Sequence, residues 1–489
     1  MRRALGIAVV FVLVSVTAAT AYQPGPIVDA SAGTSPLSGC VAADGGPGTL
    51  YPNTEVEPWL AVNPRTPSNV VGTWQQDRWS SGAARGSTVG VSTNGGSTFQ
   101  SIPVPGQSAC TGNPRFTRAS DPWVTFSPNG TLYQMSLVET KLSTGVNNPS
   151  GMAVNRSTDG GLHWGPTILL ADDTDPTLFN DKNSMTADPY DSSFVYAVWD
   201  RLESPPGKGS IKSAENTSGY RGPTFFTRTT NGGTSWEPAR AIFNLGTNDQ
   251  TIGNQIVVLP DRSHTLVDLF DLIRNDNKGN IKGYNVAVIT SADHGATWSS
   301  KATIVSALNF VQVVDPDTGT AIRTGDIIPE VSVDPNSGAL YAVWQDGRFA
   351  AGHAHVAFSM SSDGGSTWSA PVRIDGAPLA ADAFTPSIAV ASDGTVGVAY
   401  YDLRANDTLP GLPTSYWFTS CAGACTSPSS WSEVPVGGTF DMEKAPIARG
   451  YFLGDYEGIA TSDRDFLLLY AVAGTSANSA DVRFTRLTP

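Results

Sequence analysis

Residues 361–368 read SSDGGSTW, and four related octapeptides occur earlier in the chain. Each has Asp or Asn at its third position, glycine at its fifth and an aromatic residue at its eighth. Consecutive copies start 65, 72, 62 and 70 residues apart, and a period of this length indicates a repeated structural unit. The other copies are residues 92–99 (STNGGSTF), 157–164 (STDGGLHW), 229–236 (TTNGGTSW) and 291–298 (SADHGATW).

The octapeptide has the chemistry of a tight turn between two strands. Asp or Asn accepts backbone hydrogen bonds, glycine permits positive φ, and the Ser or Thr hydroxyls satisfy further turn groups. The closing aromatic ring can pack between neighbouring sheets. The interval between copies accommodates four short strands and their loops, so each copy marks one blade of a β-propeller. Fifty glycines and 34 prolines, with no long helical periodicity, agree with an all-β fold.

A second repeated element, an alternating strand followed by a turn, sets the expected number of blades. Seven copies predict seven four-stranded blades, and six blades with an extra hairpin is the alternative. The last unit ends one strand short, so a strand near residues 25–30 is expected to pair with the C-terminal strand and close the ring. The predicted division is a leader over 1–21, an N-terminal segment over 22–54 and the propeller over 55–489. The seven copies begin near Glu57, Asp121, Lys182, Asn254, Pro329, Thr385 and Asp455.

The N-terminus and the cysteines predict an exported protein. Two arginines, an apolar run over residues 4–16 and Ala-Thr-Ala at 19–21 have the pattern of a signal peptide. No later apolar run reaches the roughly 18 residues of a transmembrane helix, so a secreted or extracytoplasmic protein without membrane insertion is expected. Four cysteines in such a chain favour disulfides over zinc. The expected pairs are Cys421 with Cys425, where the sixth unit lacks its octapeptide, and Cys40 with Cys110.

Charge excludes several partners. The chain has 30 basic and 44 acidic residues and a net charge of -14, which opposes nonspecific binding to nucleic acid or anionic membranes. We expect a monomer that needs no cofactor. Residues 172–175 (DDTD) and 315–317 (DPD) could supply ligands for a structural calcium ion, although both are typical of turns. The five histidines are scattered and predict no metal site.

An aromatic residue, Asp and Arg recur at the end of the second predicted strand. If the blades are equivalent, these arginines surround one funnel, where guanidiniums can bind a carboxylate through two parallel hydrogen bonds. Alternatively, each Asp pairs with its own Arg and only braces the scaffold. The candidate substrate-binding residues are Asp77, Arg78, Asp200, Arg201, Asp346, Arg348, Asp402 and Arg404.

The octapeptides resemble the Asp-box, or bacterial neuraminidase repeat, of the sialidase superfamily, and the pattern is similar to that of secreted bacterial sialidase-like propellers. Residues 454–458 (GDYEG) and 465–470 (DFLLLY) are similar to the family segment that carries a nucleophilic tyrosine. The resemblance implies that Tyr456 is the nucleophile, Glu330 or Glu457 its base and Asp121 the general acid. Family members usually open the first inner strand with Arg-Ile-Pro, where this chain has Glu-Pro-Trp at 57–59.

These observations predict a sialidase-like glycoside hydrolase that acts on glycans containing sialic or uronic acid. Its partner would be a glycan or glycoconjugate. A noncatalytic propeller that binds a glycan or a protein through the same face is the first alternative. A polysaccharide lyase is the second, in which His353 or His355 acts with a tyrosine beside a uronate.

Overall fold

The computed structural model describes residues 21–44, 46–141, 147–204, 220–243, 245–246, 249–275, 280–474 and 479–489. Residues 1–20 of the predicted leader lie outside this part of the chain. The described residues form strands and, besides these, three 3₁₀ turns, so the prediction of an all-β fold is confirmed. No helix among them is long and apolar enough to cross a membrane. The 3₁₀ turns are Ala109–Thr111, Pro428–Ser430 and Met442–Lys444.

The first half of the described chain forms two short strands and then four consecutive four-stranded units. The short strands are β1 (Gln23–Pro24) and β2 (Val28–Asp29). Units 1 and 2 contain β3 (Glu55–Val62), β4 (Val70–Arg78), β5 (Ala84–Ser92), β6 (Gln100–Pro103), β7 (Arg118–Phe126), β8 (Leu132–Lys141), β9 (Asn147–Ser157) and β10 (Ile168–Asp173). Units 3 and 4 contain β11 (Leu178–Ala187), β12 (Val195–Glu203), β13 (Thr224–Thr229), β14 (Arg240–Ala241), β15 (Gln250–Val258), β16 (Leu266–Asn275), β17 (Ile281–Ser291) and β18 (Thr303–Leu308).

The second half continues the pattern and adds a short ribbon. Unit 5, preceded by β19 (Ile322–Arg323), contains β20 (Glu330–Val333), β21 (Leu340–Ala350), β22 (His353–Ser361) and β23 (Val372–Arg373). Unit 6 contains β24 (Ala383–Val390), β25 (Val396–Asp402), β26 (Pro413–Cys421) and β27 (Ser432–Asp441). Unit 7, preceded by β28 (Tyr451–Phe452), contains β29 (Gly458–Ser462), β30 (Asp465–Ala473) and β31 (Ala480–Thr488).

Strands within each unit are antiparallel neighbours, and the units form several separate sheets. Units 3, 4, 5 and 6 are four-stranded sheets, while units 1 and 2 join into one eight-stranded sheet through the pair Ala84 and Ala119. In the last sheet β1 and β2 both pair with β31, with Gln23 opposite Thr488. This sheet therefore combines the two ends of the described chain.

The first strands of the units contact one another in a ring. Strands β3, β7, β11, β15, β20, β24 and β29 contact in that order, and β29 contacts β3. The middle strands carry the core: every residue of β4 and of β5 is buried, as expected for strands covered on both faces. Because neighbouring strands alternate in direction, the starts of the first strands and the ends of the second strands lie on one face.

The octapeptides lie on the opposite face, between the third and fourth strands of units 1 to 5. In residues 361–368, Ser361 Oγ accepts a hydrogen bond from the amide of Gly365 at 3.0 Å. Asp363 Oδ1 accepts one from the amide of Thr367 at 2.9 Å. The same Ser or Thr to glycine bond occurs in the other four copies, at 2.8–3.0 Å. The octapeptide is thus a self-bonded turn.

Both predicted disulfides are present. Cys421 and Cys425 close the connection between β26 and β27, the place that the octapeptide occupies in units 1 to 5. Cys40 is bonded to Cys110, which ties the N-terminal segment to the connection between β6 and β7.

Candidate functional site

A cavity of about 390 Å³ opens where the first strands begin, on the face opposite the octapeptides. Cavities of this size accommodate small ligands. Its acidic lining residues are Glu57, Asp121, Glu139, Asp181, Asp326 and Asp455. Its basic lining residues are Arg78, Lys141, Lys182, Arg323 and Arg449.

A bulge at the start of each of three neighbouring first strands forms one wall. The register of β3, β7 and β11 shifts at this point. Glu57, Asp121 and Lys182 lie at these bulges with φ values of 54°, 48° and 41°. Left-handed backbone is sparsely populated by residues other than glycine, and bulges often re-aim side chains next to functional sites. The fold thus accepts strained backbone where charged side chains line the cavity.

Asp121 and Asp181 share a hydrogen-bond donor. The amide of Lys182 lies 3.2 Å from Asp121 Oδ2 and 3.0 Å from Asp181 Oδ1. Burial and the nearby charge of Asp121 raise the pKa of Asp181 to about 8. Burial, followed by the charges of Asp181 and Asp121, also raises the pKa of Asp200, which lies across the strand pair from Asp181. Carboxyl groups this close do not all ionise at neutral pH.

In contrast to Asp181 and Asp200, the carboxyl group of Asp455 is stabilised in its ionised form. The guanidinium of Arg323 forms two hydrogen bonds with its carboxylate, one of them from Nε to Oδ1 at 2.9 Å. Burial acts to raise the pKa of Asp455, but the charge and hydrogen bonds of Arg323 outweigh it and hold the pKa well below its usual range. Arg323 owes its position to β19, which pairs in parallel with β28.

Two arginines of the cavity stack on one aromatic ring. The guanidinium carbons of Arg78 and Arg323 lie 4.8 and 4.4 Å from the ring centroid of Phe452. Arg78 also donates to Gln75 Oε1 at 2.6 Å. Arg449 lies in the long connection before β28 and lines the same cavity. Such a group of guanidiniums can bind an anionic substituent of a ligand.

The predicted nucleophile lies beside this cavity but not in its lining. Tyr456 is buried, and its hydroxyl donates to the carbonyl of Pro122 at 3.2 Å. A small neighbouring cavity of about 10 Å³ is lined by Tyr456, Glu330 and Lys182. Lys182 lines both cavities, and its Nζ lies 3.4 Å from the ring centroid of Tyr456. The nucleophilic role that the sequence predicted for Tyr456 would require its hydroxyl to leave Pro122.

The two predicted bases are also buried. Glu330 accepts a hydrogen bond from Ser387 Oγ at 2.8 Å, and burial raises its pKa to about 8. Glu457 accepts one from the amide of Ala471 at 3.0 Å, and burial raises its pKa well above the ordinary value. Neither lines the larger cavity.

The predicted anion-binding arginines divide into two groups. Arg78 lines the cavity, whereas Arg201, Arg348 and Arg404 do not. Arg201 pairs with Asp173 at 2.7 Å, and Arg348 pairs with Asp346 at 2.7 Å. Arg404 pairs with Asp402 and with Glu433. Arg348 and Arg404 thus pair with the aspartate of their own segment, as the alternative interpretation expects, whereas Arg201 pairs with Asp173 and not with Asp200.

The four aspartates of these segments lie in different environments. Asp346 and Asp402 each accept an indole N–H in addition to their arginine, from Trp344 and Trp417 respectively. Asp77 accepts from Ser35 Oγ at 3.0 Å and pairs with Arg85. Both carboxyl oxygens of Asp200 lack a hydrogen-bond partner within the described residues.

The residues considered for a lyase or for calcium lie elsewhere. His353 contacts Asp382, and the fully buried His355 contacts Asp375, so neither lines the cavity. In residues 172–175, Asp172 and Asp173 form ion pairs with arginines. In residues 315–317, Asp315 accepts the amide of Asp317 within a turn.

Sequence reasoning missed Arg323, Asp326 and Arg449. They lie on long connections without a repeat pattern, which reach the cavity through the pairing of β19 with β28. The length of the connections before units 5 and 7 was the available signal.

No family model and no curated protein matches this chain. Solved structures of sialidases and arabinanases resemble it at low sequence identity. The NanB sialidase of Streptococcus pneumoniae is 11% identical, with a TM-score of 0.47, and covers 95% of this chain and 98% of its own. The α-L-arabinanase of Penicillium chrysogenum is 11% identical, with a TM-score of 0.48 and coverages of 94% and 98%. A leech intramolecular trans-sialidase is 13% identical, with a TM-score of 0.46 and coverages of 76% and 68%.

Proposed function

We propose that this protein is a secreted glycoside hydrolase that acts on acidic glycans, with the cavity at the starts of the first strands as its active site. The observation that carries the proposal is the Lys182 amide shared by Asp121 and Asp181, in a cavity that also contains Arg78, Arg323 and Arg449. Glycoside hydrolysis commonly requires one protonated and one ionised carboxyl group, and neighbouring carboxyl groups supply that combination.

In this proposal, Asp181 protonates the leaving glycosidic oxygen as the glycosidic bond breaks, and a water molecule adds to the anomeric carbon. The water releases its extra proton to solvent, from which Asp181 is reprotonated. The raised pKa of Asp181, about 8, keeps the proton available at neutral pH. Asp121, which the sequence suggested as the acid, is the neighbouring carboxyl group whose charge helps to raise the pKa of Asp181. The arginines bind the carboxylate of a sialic or uronic acid residue. Tyr456 and Lys182 brace the wall that carries both carboxyl groups.

We further infer that units 1 to 7 are the blades of one seven-bladed propeller. The ring of contacts among the first strands supports this number. The pairing of β1 and β2 with β31 supports closure by the two ends of the chain. The two disulfides support an extracytoplasmic location, as the leader-like N-terminus also does.

A sugar-release assay tests the function. Wild-type protein is incubated with sialosides and uronic acid oligosaccharides, and with neutral arabino-oligosaccharides for comparison. We expect release from an acidic substrate, and a loss of about 10²–10⁴-fold in kcat for Asp181→Asn and for Asp121→Asn.

The matched control is Asp363→Asn. Asp363 lies in an octapeptide on the other face, and Asn94 and Asn231 stand at the same position in two other copies. This variant should keep wild-type activity. Binding of acidic oligosaccharides without turnover would instead support the noncatalytic alternative. Wild-type rates in Asp181→Asn would exclude the proposed acid.

A further inference from the structure

Three residues that are distant in sequence meet on the octapeptide face, far from the cavity described above. Asp188 lies in the turn between β11 and β12, His264 in the turn between β15 and β16, and His294 in the octapeptide between β17 and β18. One nitrogen or oxygen atom from each lies within 4.8 Å of the other two. Asp188 Oδ2 lies 3.2 Å from His264 Nδ1 and 3.8 Å from His294 Nδ1. The cluster therefore joins unit 3 to unit 4.

These distances are close to those in a metal centre. Tetrahedral zinc with bonds of about 2.0–2.1 Å separates its ligand atoms by about 3.3 Å. Small side-chain movements would bring the three atoms to that spacing. Asp188 is fully buried, while the imidazoles of His264 and His294 are 23% and 30% exposed, which leaves a route from solvent.

His294 occupies a position where the other octapeptides have glycine. The fourth residue is Gly95, Gly160, Gly232 and Gly364 in the other four copies, with φ between 66° and 76°. His294 adopts the same left-handed backbone, with φ of 56°. A side chain with Cβ is disfavoured in this conformation, so nothing in the turn itself explains a histidine here.

His264 also stands where other units have glycine, in a different kind of turn. In unit 4 the amide of Leu259 donates to the carbonyl of Thr265, and a corresponding bond closes the turns that contain Gly130, Gly338 and Gly394. Each of these glycines stands immediately before the accepting residue, where unit 4 has His264, with φ of 45°. In units 1 and 3, Ser68 and Ser193 precede the accepting residue instead. Two glycine positions from different turns thus carry imidazoles directed at one carboxylate.

Neighbouring groups hold the three side chains in place. The other oxygen of Asp188, Oδ1, accepts the amides of Tyr190 and Asp191 at 2.8 and 3.1 Å. Tyr196 donates its hydroxyl to Asp188 Oδ2 at 3.0 Å. The ring of His294 stacks on Phe194, with centroids 4.3 Å apart. Such outer partners orient metal ligands and tune their affinity.

We propose that Asp188, His264 and His294 bind one divalent first-row transition metal ion, with zinc as the best match to two imidazoles and one carboxylate. The ion fastens unit 3 to unit 4 on the face opposite the glycan site. It stabilises the fold and takes no part in sugar hydrolysis, so this site stands independently of the proposed function.

Tag-free protein, stripped with EDTA and dialysed, is titrated with ZnSO₄ by isothermal calorimetry, and thermal unfolding is recorded with and without the ion. We expect one zinc per chain and a zinc-dependent rise in Tm. His264→Gly and His294→Gly should each weaken zinc binding at least tenfold, and the double variant should lose both the binding and the rise in Tm. Both changes install glycine, which holds the same left-handed position in other octapeptides and other turns, so the variants are expected to fold.

His163→Ala is the matched control, because His163 is an octapeptide histidine with an 88% exposed side chain, outside the cluster. It should bind zinc as the wild type does. The proposal is overturned if wild-type protein binds no stoichiometric zinc, or if the double glycine variant binds it equally well. In the first case, lower stability of the double variant in EDTA would identify the cluster as a metal-free hydrogen-bonded network.

Discussion

The ammonium group of Lys182 lies over the ring of Tyr456, 3.4 Å from its centroid. The Lys182 amide is also the donor shared by Asp121 and Asp181. One residue therefore connects the buried tyrosine to the carboxyl groups of the cavity. A cation over an aromatic face contributes about 0.5–2 kcal/mol, so the ring of Tyr456 is expected to hold Lys182 in place without help from the tyrosine hydroxyl.

Tyr456→Phe tests that expectation. The substitution keeps the ring and removes one hydrogen bond to Pro122, so kcat should stay within about threefold of wild type and the free energy of unfolding should fall by about 1 kcal/mol. Steady-state kinetics and urea denaturation measure the two effects. A loss of about a thousandfold in kcat would instead assign Tyr456 the role of nucleophile.

The pH dependence of kcat should reflect the ionisation of Asp181. Because its pKa is raised to about 8, the acid form needed for proton donation is present below pH 8, and kcat should fall as pH rises through this value. Asp181→Asn should remove this alkaline limb from whatever activity remains. A limb that is unchanged in the variant would assign it to another group.

The raised pKa of Asp181 should also make the free energy of unfolding depend on pH. Between the ordinary value of 3.8 and about 8, the folded protein retains a proton on Asp181 that the unfolded chain has released. The contribution of Asp181 to the free energy of unfolding should therefore decrease as pH rises across this interval. Urea denaturation of wild type and Asp181→Asn at pH 5 and pH 8 measures the difference.

Arg323→Gln should impair binding of an acidic substrate. The change removes a charge from the arginines proposed to bind the substrate carboxylate, and it removes both hydrogen bonds to Asp455. We therefore expect KM to rise about 10–100-fold for an acidic glycan. Arg464→Gln is the control, because it breaks an exposed pair with Asp393 on the other face. Equal KM values for the two variants would remove Arg323 from substrate binding.

Arg404→Gln should lower stability without impairing substrate binding. Arg404 pairs with Asp402 and Glu433 outside the cavity, so its loss should lower the free energy of unfolding by about 1–3 kcal/mol and leave KM unchanged. Thermal denaturation and kinetics on the same preparation separate the two effects. A rise in KM without a loss of stability would support the anion-binding role that the sequence suggested.

Ser361→Ala should weaken the octapeptide turn. It removes the acceptor of the Gly365 amide, and we expect a loss of about 1–2 kcal/mol in the free energy of unfolding. Ser362→Ala changes an exposed neighbour in the same turn and should alter stability by less than about 0.5 kcal/mol. Comparable losses in both variants would argue against the Ser361 bond as the cause.

The sequence predicted those features that depend on short segments. The octapeptide turn is determined by Ser361, Asp363 and Gly365 within five residues. Its hydrogen bonds can therefore be predicted without knowledge of the fold. Arg78 was predicted from a repeated segment together with Arg201, Arg348 and Arg404, but of these four only Arg78 lines the cavity. Asp121, which also lines it, was predicted from the family resemblance. The all-β class followed from the same local signals.

The remaining site residues depend on contacts between distant segments. Arg323 meets Asp455, 132 residues away, only because β19 pairs with β28. The cluster of His264 and His294 was missed for the same reason, since each histidine lies in a turn that reads as ordinary until neighbouring units are brought together. The repeated segments thus predict the strands and turns. The residues that the sequence did not reveal lie where a segment departs from the repeat.

The pairing of β1 and β2 with β31 has a consequence for the order of folding. Residues 23 and 488 are partners in one sheet, so that sheet cannot be completed until the last strand has been synthesised. Contacts between residues so distant in sequence slow folding, because the chain entropy is lost before the contact is gained. Units 1 to 6 can form from pairings between nearby segments of the chain. The sheet that joins β1 and β2 to β31 is then the last to form.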